Sequence, residues 1–129
     1  VTTAVVPLHQ PDAITRAVTA LRAGELIIIP TDTVYGVATL PEGLDGLHER
    51  VYGNREISPW PALPFLLTDE EILPRLARPN RAAERLAHYF WPGKVTLLLP
   101  AAPDVPFPIE NTRVALRVPD YPPIIPLLR

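Results

Sequence analysis

Leu26-Ile27-Ile28-Ile29 is an unbroken aliphatic run, mostly β-branched, that Pro30 stops. It shows no alternation with polar residues, so it reads as a strand buried on both faces, which requires packed layers around it. One layer is visible just upstream. Between Pro11 and Ala23, the apolar residues Ala13, Ile14, Ala17, Val18 and Leu21 recur at helical spacing, and Gly24 is placed to cap that helix. Further along, Leu63 to Leu67 predicts a second buried strand. Lys94 to Leu99 and Arg113 to Val118 predict two more, on either side of a proline-rich loop from Pro100 to Asn111. Helices are predicted over Leu44 to Tyr52, over Asp69 to Ala77 with an acidic first turn, and over Arg81 to Phe90 with Asn80 as N-cap; Tyr121 to Arg129 begins another. Strands alternating with helices point to an α/β or mixed α+β sheet, with residues 1–129 forming one domain.

Composition narrows the functional classes. With 47% hydrophobic and 20% charged residues, the chain has the makings of a soluble globular core. The net charge of −2 argues against nucleic-acid binding through the whole surface, so such a role needs a local patch. The absence of cysteine excludes disulfides, thiolate metal sites and a cysteine nucleophile. His9, His48 and His88 are scattered without metal-ligand spacing, and no tightly bound metal is expected. No apolar run is long enough to cross a bilayer, and the N-terminus lacks the blocks of a signal peptide, so a cytoplasmic protein without membrane partners is expected. The 18 prolines stand mostly singly at the edges of apolar runs, as loop punctuation.

Four segments carry the chemistry. After the aliphatic strand, Pro30-Thr31-Asp32-Thr33-Val34-Tyr35-Gly36 offers two hydroxyls, a carboxylate and a phenol at a strand's carboxyl end, where α/β sheets gather ligands. Such groups fit an amino acid or, through hydroxyls and backbone N–H groups, a phosphate. They equally fit a turn whose Asp and Thr bond local backbone. Phe90-Trp91-Pro92-Gly93-Lys94-Val95-Thr96 breaks a helix and delivers Lys94 and Thr96 toward a strand, with Trp91 a core or hinge aromatic rather than a stacking platform. Lys94 is either a point charge for a phosphate or an ordinary solvated lysine. In Leu116-Arg117-Val118-Pro119-Asp120, Arg117 interrupts an apolar strand; it either pairs with a core carboxylate or reaches a ligand oxyanion with its fork. Arg75, Arg78, Arg81 and Arg85 form a basic stretch, read as a solvated face or an RNA contact.

Taken in order, these segments resemble the YrdC / YciO family of threonylcarbamoyl-AMP synthases. The resemblance rests on Leu21-Arg22-Ala23-Gly24, the run from Ile27 to Val37, Arg50-Val51-Tyr52, Phe90 to Leu97, and Leu116 to Asp120. It implies a twisted, open mixed sheet flanked by helices. It also implies a nucleotidyltransferase reaction, in which L-threonine, bicarbonate and ATP, the last accompanied by Mg²⁺, give threonylcarbamoyl-AMP for tRNA modification. Carried over residue by residue, Thr31, Thr33 and Tyr35 form the threonine side with Arg117 as an oxyanion-binding cation, while Arg55, Lys94 and Thr96 serve the nucleotide. Partners implied are tRNA or double-stranded RNA and other tRNA-modification proteins. Two alternatives share the fold: a non-catalytic RNA-binding module, and a carbamoyltransferase-type module that forms a carbamoyl-adenylate. The sequence departs from the family twice. Where the family has a Lys-x-Arg pair, this chain has Arg55-Glu56-Ile57, keeping one basic position. The family's Ser-Ala-Asn segment, expected to close over the nucleotide, would fall after Arg129.

Overall fold

The computed structural model describes residues 2–53, 63–107, 109 and 112–129. Helix α1 (Ala13–Arg22) ends as its sequence predicts. Gly24 takes φ 77°, its N–H bonds the Leu21 carbonyl, and the Glu25 N–H reaches back to the Ala20 carbonyl, each at 3.0 Å. This paired closure satisfies carbonyls the last turn would leave bare, and it needs the left-handed backbone that glycine adopts without strain. The chain then enters β1 (Ile27–Ile29), which pairs antiparallel with β2 (Gly36–Ala38) in a two-stranded ribbon. The segment Pro30 to Tyr35 is therefore the connection of a hairpin whose second strand the sequence did not announce.

Burial of β1 on both faces does not hold. Ile29 is buried, but Ile28 is 63% exposed and lies opposite Val37, also exposed. A ribbon has two faces, and α1 packs against β1 on one of them; among the described residues no element covers the other.

The core belongs to a second, three-stranded sheet in the order β3 (Pro64–Leu66), β5 (Arg113–Arg117), β4 (Leu97–Pro100). β5 runs parallel to β3 and antiparallel to β4, placing Leu116 between Phe65 and Leu97. As the central strand it buries Val114, Ala115 and Leu116 in succession, the continuous pattern expected of a strand covered on both faces. β4, at the edge, alternates: Leu97 and Leu99 are buried and Leu98 is exposed. This strand begins at Leu97 rather than at Lys94, which belongs to a turn described below.

Helix α4 (Arg81–Phe90) contributes Ala83, Ala87 and, just beyond its end, Trp91 to the same core cluster as Leu97, Leu99, Val114 and Leu116. Small residues at i and i+4 let the helix backbone approach closely while Trp91 fills the far end. Asn80 caps it as predicted, its Oδ1 accepting from the Ala83 N–H at 2.9 Å. The predicted helix from Asp69 opens instead as a 3₁₀ turn (Glu70–Ile72) with Asp69 as N-cap, then continues as α3 (Leu73–Leu76). The predicted helix from Leu44 divides into α2 (Leu44–Leu47) and a π-helical turn (His48–Tyr52). At the end of the chain, a 3₁₀ turn (Pro122–Ile124) leads into α5 (Ile125–Leu128), which packs on α1. No helix among the described residues is long and apolar enough to cross a membrane.

Candidate functional site

The hairpin connection is organised by one hydroxyl. Thr31 Oγ1 donates to the Val34 carbonyl at 2.7 Å and accepts from the N–H groups of Thr33 at 3.1 Å and Val34 at 3.3 Å. This is the local side-chain turn that Thr residues favour. Thr31 and Thr33 hydroxyls lie 3.0 Å apart. Because the single Thr31 hydrogen is committed to Val34, Thr33 donates to Thr31. Thr33 in turn accepts from Nη1 of Arg117 at 3.2 Å. The result is a directed chain from guanidinium to hydroxyl to hydroxyl to carbonyl, in which each bond polarises the next.

Arg117, at the carboxyl end of β5, uses all three of its nitrogens. Nη2 pairs with Asp32 Oδ1, and Nε donates to the Gly93 carbonyl at 2.9 Å. Of the two readings of Arg117, pairing with a carboxylate of the chain or reaching a ligand oxyanion, the structure shows the first, with Nη2 on Asp32 and Nη1 on Thr33. The pair is largely dehydrated, with side-chain exposures of 11% for Arg117 and 10% for Asp32. Asp32 Oδ2 is buried and has no hydrogen-bond partner among the described residues. Among those residues, the bonds from Arg117 are also the only hydrogen bonds joining the hairpin to the three-stranded sheet.

The second turn is built to present the Gly93 carbonyl. α4 ends when the Trp91 N–H closes on the Ala87 carbonyl at 2.8 Å. The buried Trp91 ring is in the core, as a core aromatic should be, and its Nε1–H donates to the Val95 carbonyl at 2.6 Å. That bond occupies the Val95 carbonyl just after the turn, and β4 starts two residues later at Leu97. The Gly93 N–H bonds the Val118 carbonyl at 2.8 Å, tying the turn to the end of β5. A Cβ on Gly93 would lie 2.3 Å from the Phe90 carbonyl oxygen, so only glycine fits without moving backbone.

The structure thus brings Thr31, Thr33 and Arg117 together, with Lys94 one residue from the Gly93 carbonyl. Tyr35 extends the same hairpin connection and is 76% exposed. Lys94 and Thr96 are exposed and make no side-chain hydrogen bond or ion pair among the described residues. Arg55 lies outside the described residues. Sequence reading named Asp32 only as one polar group among several, and the Gly93 carbonyl not at all. The available signal was a lone arginine on a buried strand, which demands a partner.

A separate crevice of about 260 Å³ opens at the carboxyl ends of β3 and β5. Trp91, Val118 and Tyr121 line it, with Asp69, Glu70 and Asp120 among its polar groups. It includes none of Thr31, Asp32, Thr33 or Arg117, and its acidic groups oppose an anionic ligand. Among the described residues, no group of three or more His, Asp or Glu side chains is arranged to hold a metal ion.

Comparison with known proteins places these features in a family. The model Sua5_yciO_yrdC, described as "Telomere recombination", matches residues 19–129. The chain belongs to the Sua5/YciO/YrdC family. It is 29% identical over 119 residues to threonylcarbamoyl-AMP synthase of Bacillus subtilis, covering 90% of this chain and 34% of that protein. It is 31% identical over 128 residues to a putative threonylcarbamoyl-AMP synthase of Mycobacterium tuberculosis, covering 95% and 58%. Among solved structures, Escherichia coli YciO superposes with a TM-score of 0.77 at 27% identity, over 92% of this chain and 59% of that one. Pyrococcus abyssi Sua5 complexed with L-threonine superposes with a TM-score of 0.74 at 30% identity, over 89% and 34%. The chain therefore spans between about a third and three-fifths of the length of these relatives. The mixed α/β architecture with open sheets agrees with the Sua5 and YciO structures.

Proposed function

We propose that this chain carries the threonine side of a threonylcarbamoyl-AMP synthase, which joins L-threonine, bicarbonate and ATP with release of pyrophosphate. The observation that supports this most is the convergence of Thr31, Thr33 and Arg117 from segments far apart in sequence, on a fold shared with a Sua5 structure that holds L-threonine. In this reading Thr31, Thr33 and Tyr35 face the amino acid, and Arg117 provides the positive edge for its carboxylate. Nucleotide contacts fall to Arg55, Lys94 and Thr96. Mg²⁺ arrives as part of the ATP substrate and offsets triphosphate charge. With Thr33 donating to Thr31 and accepting once from Arg117, the Thr33 oxygen keeps a lone pair that a substrate ammonium or hydroxyl can meet, while Thr31 holds the turn in shape.

The test is a pyrophosphate-release assay with L-threonine, bicarbonate and ATP, leaving out each in turn. Threonine-dependent release is expected; release no greater than without threonine rejects the activity. Substituting carbamoyl phosphate for threonine and bicarbonate separates the carbamoyl-adenylate alternative.

The exposed side of α4 favours a second reading, RNA binding. Arg81 and Arg85 are exposed one turn apart, followed by Tyr89 at 74% and Phe90 at 52% exposure. Cations beside exposed aromatics suit phosphates beside unstacked bases. Binding through them weakens steeply with added salt; no binding at low salt, or salt-insensitive binding, removes this reading.

A further inference from the structure

Arg117 and Asp32 admit two roles with opposite consequences. In one, Asp32 stands in for a ligand's carboxylate and leaves when the ligand arrives. In the other, it holds the guanidinium in place for the ligand. The contacts favour the second. Drawing Arg117 away would break its bonds to Asp32, Thr33 and the Gly93 carbonyl together. It would also strand a carboxylate that is 10% exposed and already has one unpartnered oxygen. A buried pair is hard to separate, because each charge left alone keeps its desolvation penalty. Meanwhile the second hydrogens of Nη1 and Nη2 remain uncommitted among the described residues, so the fork can serve a ligand without releasing Asp32.

We infer that Asp32 is a positioning residue: it fixes the Arg117 guanidinium and the Thr31–Thr33 turn against each other, so that Arg117 meets the substrate carboxylate without leaving its ion pair. The inference rests on the threonine-site reading for its ligand, and on the ion-pair geometry alone for its structural half.

The experiment uses the full chain as wild type, Asp32→Asn, Arg117→Lys and the double variant. Calorimetric titration with L-threonine is expected to show a Kd raised about tenfold or more in each single variant, with the double variant little worse than either, as for residues acting as one unit. L-threoninol, whose carboxylate is replaced by an alcohol, keeps only the contacts to the Thr31–Thr33 side, so Asp32→Asn is expected to weaken it several-fold less than it weakens L-threonine. Equal weakening of both ligands, the mark of general loosening of the pocket, overturns the inference. Asp32→Asn binding L-threonine as tightly as wild type, or more tightly, also overturns it, because Asp32 would then be a competitor for Arg117.

Amide hydrogen exchange supplies the measurement that needs no ligand. The Thr33 and Val34 N–H groups, both bonded to Thr31, are expected to exchange about tenfold faster in Asp32→Asn and Arg117→Lys, with α4 amides unchanged. Unchanged Thr33 and Val34 exchange overturns the inference. If wild type binds no L-threonine, the proposed function fails separately, and exchange decides the positioning role.

Discussion

Truncating Leu116 to alanine tests whether the three-stranded sheet is the structural centre. Leu116 has 0% exposure and lies on the central strand between Phe65 and Leu97. Leu→Ala at buried sites costs about 2–5 kcal/mol, the larger values applying where neighbours cannot collapse into the space. Strands on both sides hold this position, so the upper half of that range, about 3–5 kcal/mol, is expected. A domain of this size is stable by roughly 5–15 kcal/mol, so the variant should remain folded or sit near its limit. In urea, with a slope of about 1–3 kcal/mol per molar, the midpoint should fall by about 1–5 M. Leu98→Ala is the control: it is the next residue on from Leu97 in β4 but is half exposed, and it should shift stability by less than about 1 kcal/mol. Should Leu116→Ala prove unfolded, Leu116→Val, which removes less volume, should still cost about 1 kcal/mol. Equal midpoints for Leu116→Ala and Leu98→Ala would refute the assignment of β5 to the centre of the core.

Three other substitutions probe the turns and the cap. Asn80→Ala removes the acceptor for the Ala83 N–H and should lower stability by about 1 kcal/mol in denaturant titration, while Asn80→Asp should largely retain it. Gly93→Ala places a methyl group against the Phe90 carbonyl; it should cost about 1–3 kcal/mol by thermal melt and speed exchange of the Gly93 N–H as its bond to Val118 opens. Thr31→Val keeps the shape of the side chain but removes the hydroxyl that closes the hairpin connection. In that exposed setting stability should change by less than about 1 kcal/mol. On the proposed function, KM for L-threonine should rise about tenfold, and an unchanged KM would place Thr31 away from the amino acid.

What could be read from the sequence was what depends on near neighbours. The Asn80 cap, the Gly24 closure of α1 and the break at Trp91-Pro92-Gly93 are each set within a few residues, and each is found where the sequence puts it. Ile28 was misread because its burial depends on a layer, and no local pattern says how many layers a strand receives. The start of β4 was placed too early because Lys94-Val95-Thr96 has strand-like composition, while the Val95 carbonyl is taken by the Trp91 indole. For Arg117 the sequence posed the right alternatives, a carboxylate of the chain or a ligand, but could not name Asp32, which stands 85 positions away. The Thr31, Asp32 and Thr33 hydroxyl and carboxylate chemistry was legible; its direction, with Thr31 donating forward to the Val34 carbonyl, was not.

The core and the candidate site are one arrangement, because the register of β5 decides where Arg117 points. Leu116 opposite Leu97 and Phe65, with Val114 opposite Leu99, sets that register through buried aliphatic contacts. A slip by one residue would turn each side chain to the other face of the sheet, sending Arg117 away from the hairpin. From the correct register a planar guanidinium can reach Asp32, Thr33 and the Gly93 carbonyl at once. A lysine in its place has one charged nitrogen on a flexible stem and could hold one of those partners firmly but not all. The expectation is therefore asymmetric. Loosening the core at Leu116 should disturb the Thr31–Thr33 turn even though that turn is built from its own hydroxyls, whereas Thr31→Val should leave the core's denaturation midpoint nearly unmoved. Amide exchange read at Val34 in Leu116→Val and at Leu116 in Thr31→Val checks that order, and equal effects in both directions would show that the turn supports the sheet as much as the sheet supports the turn.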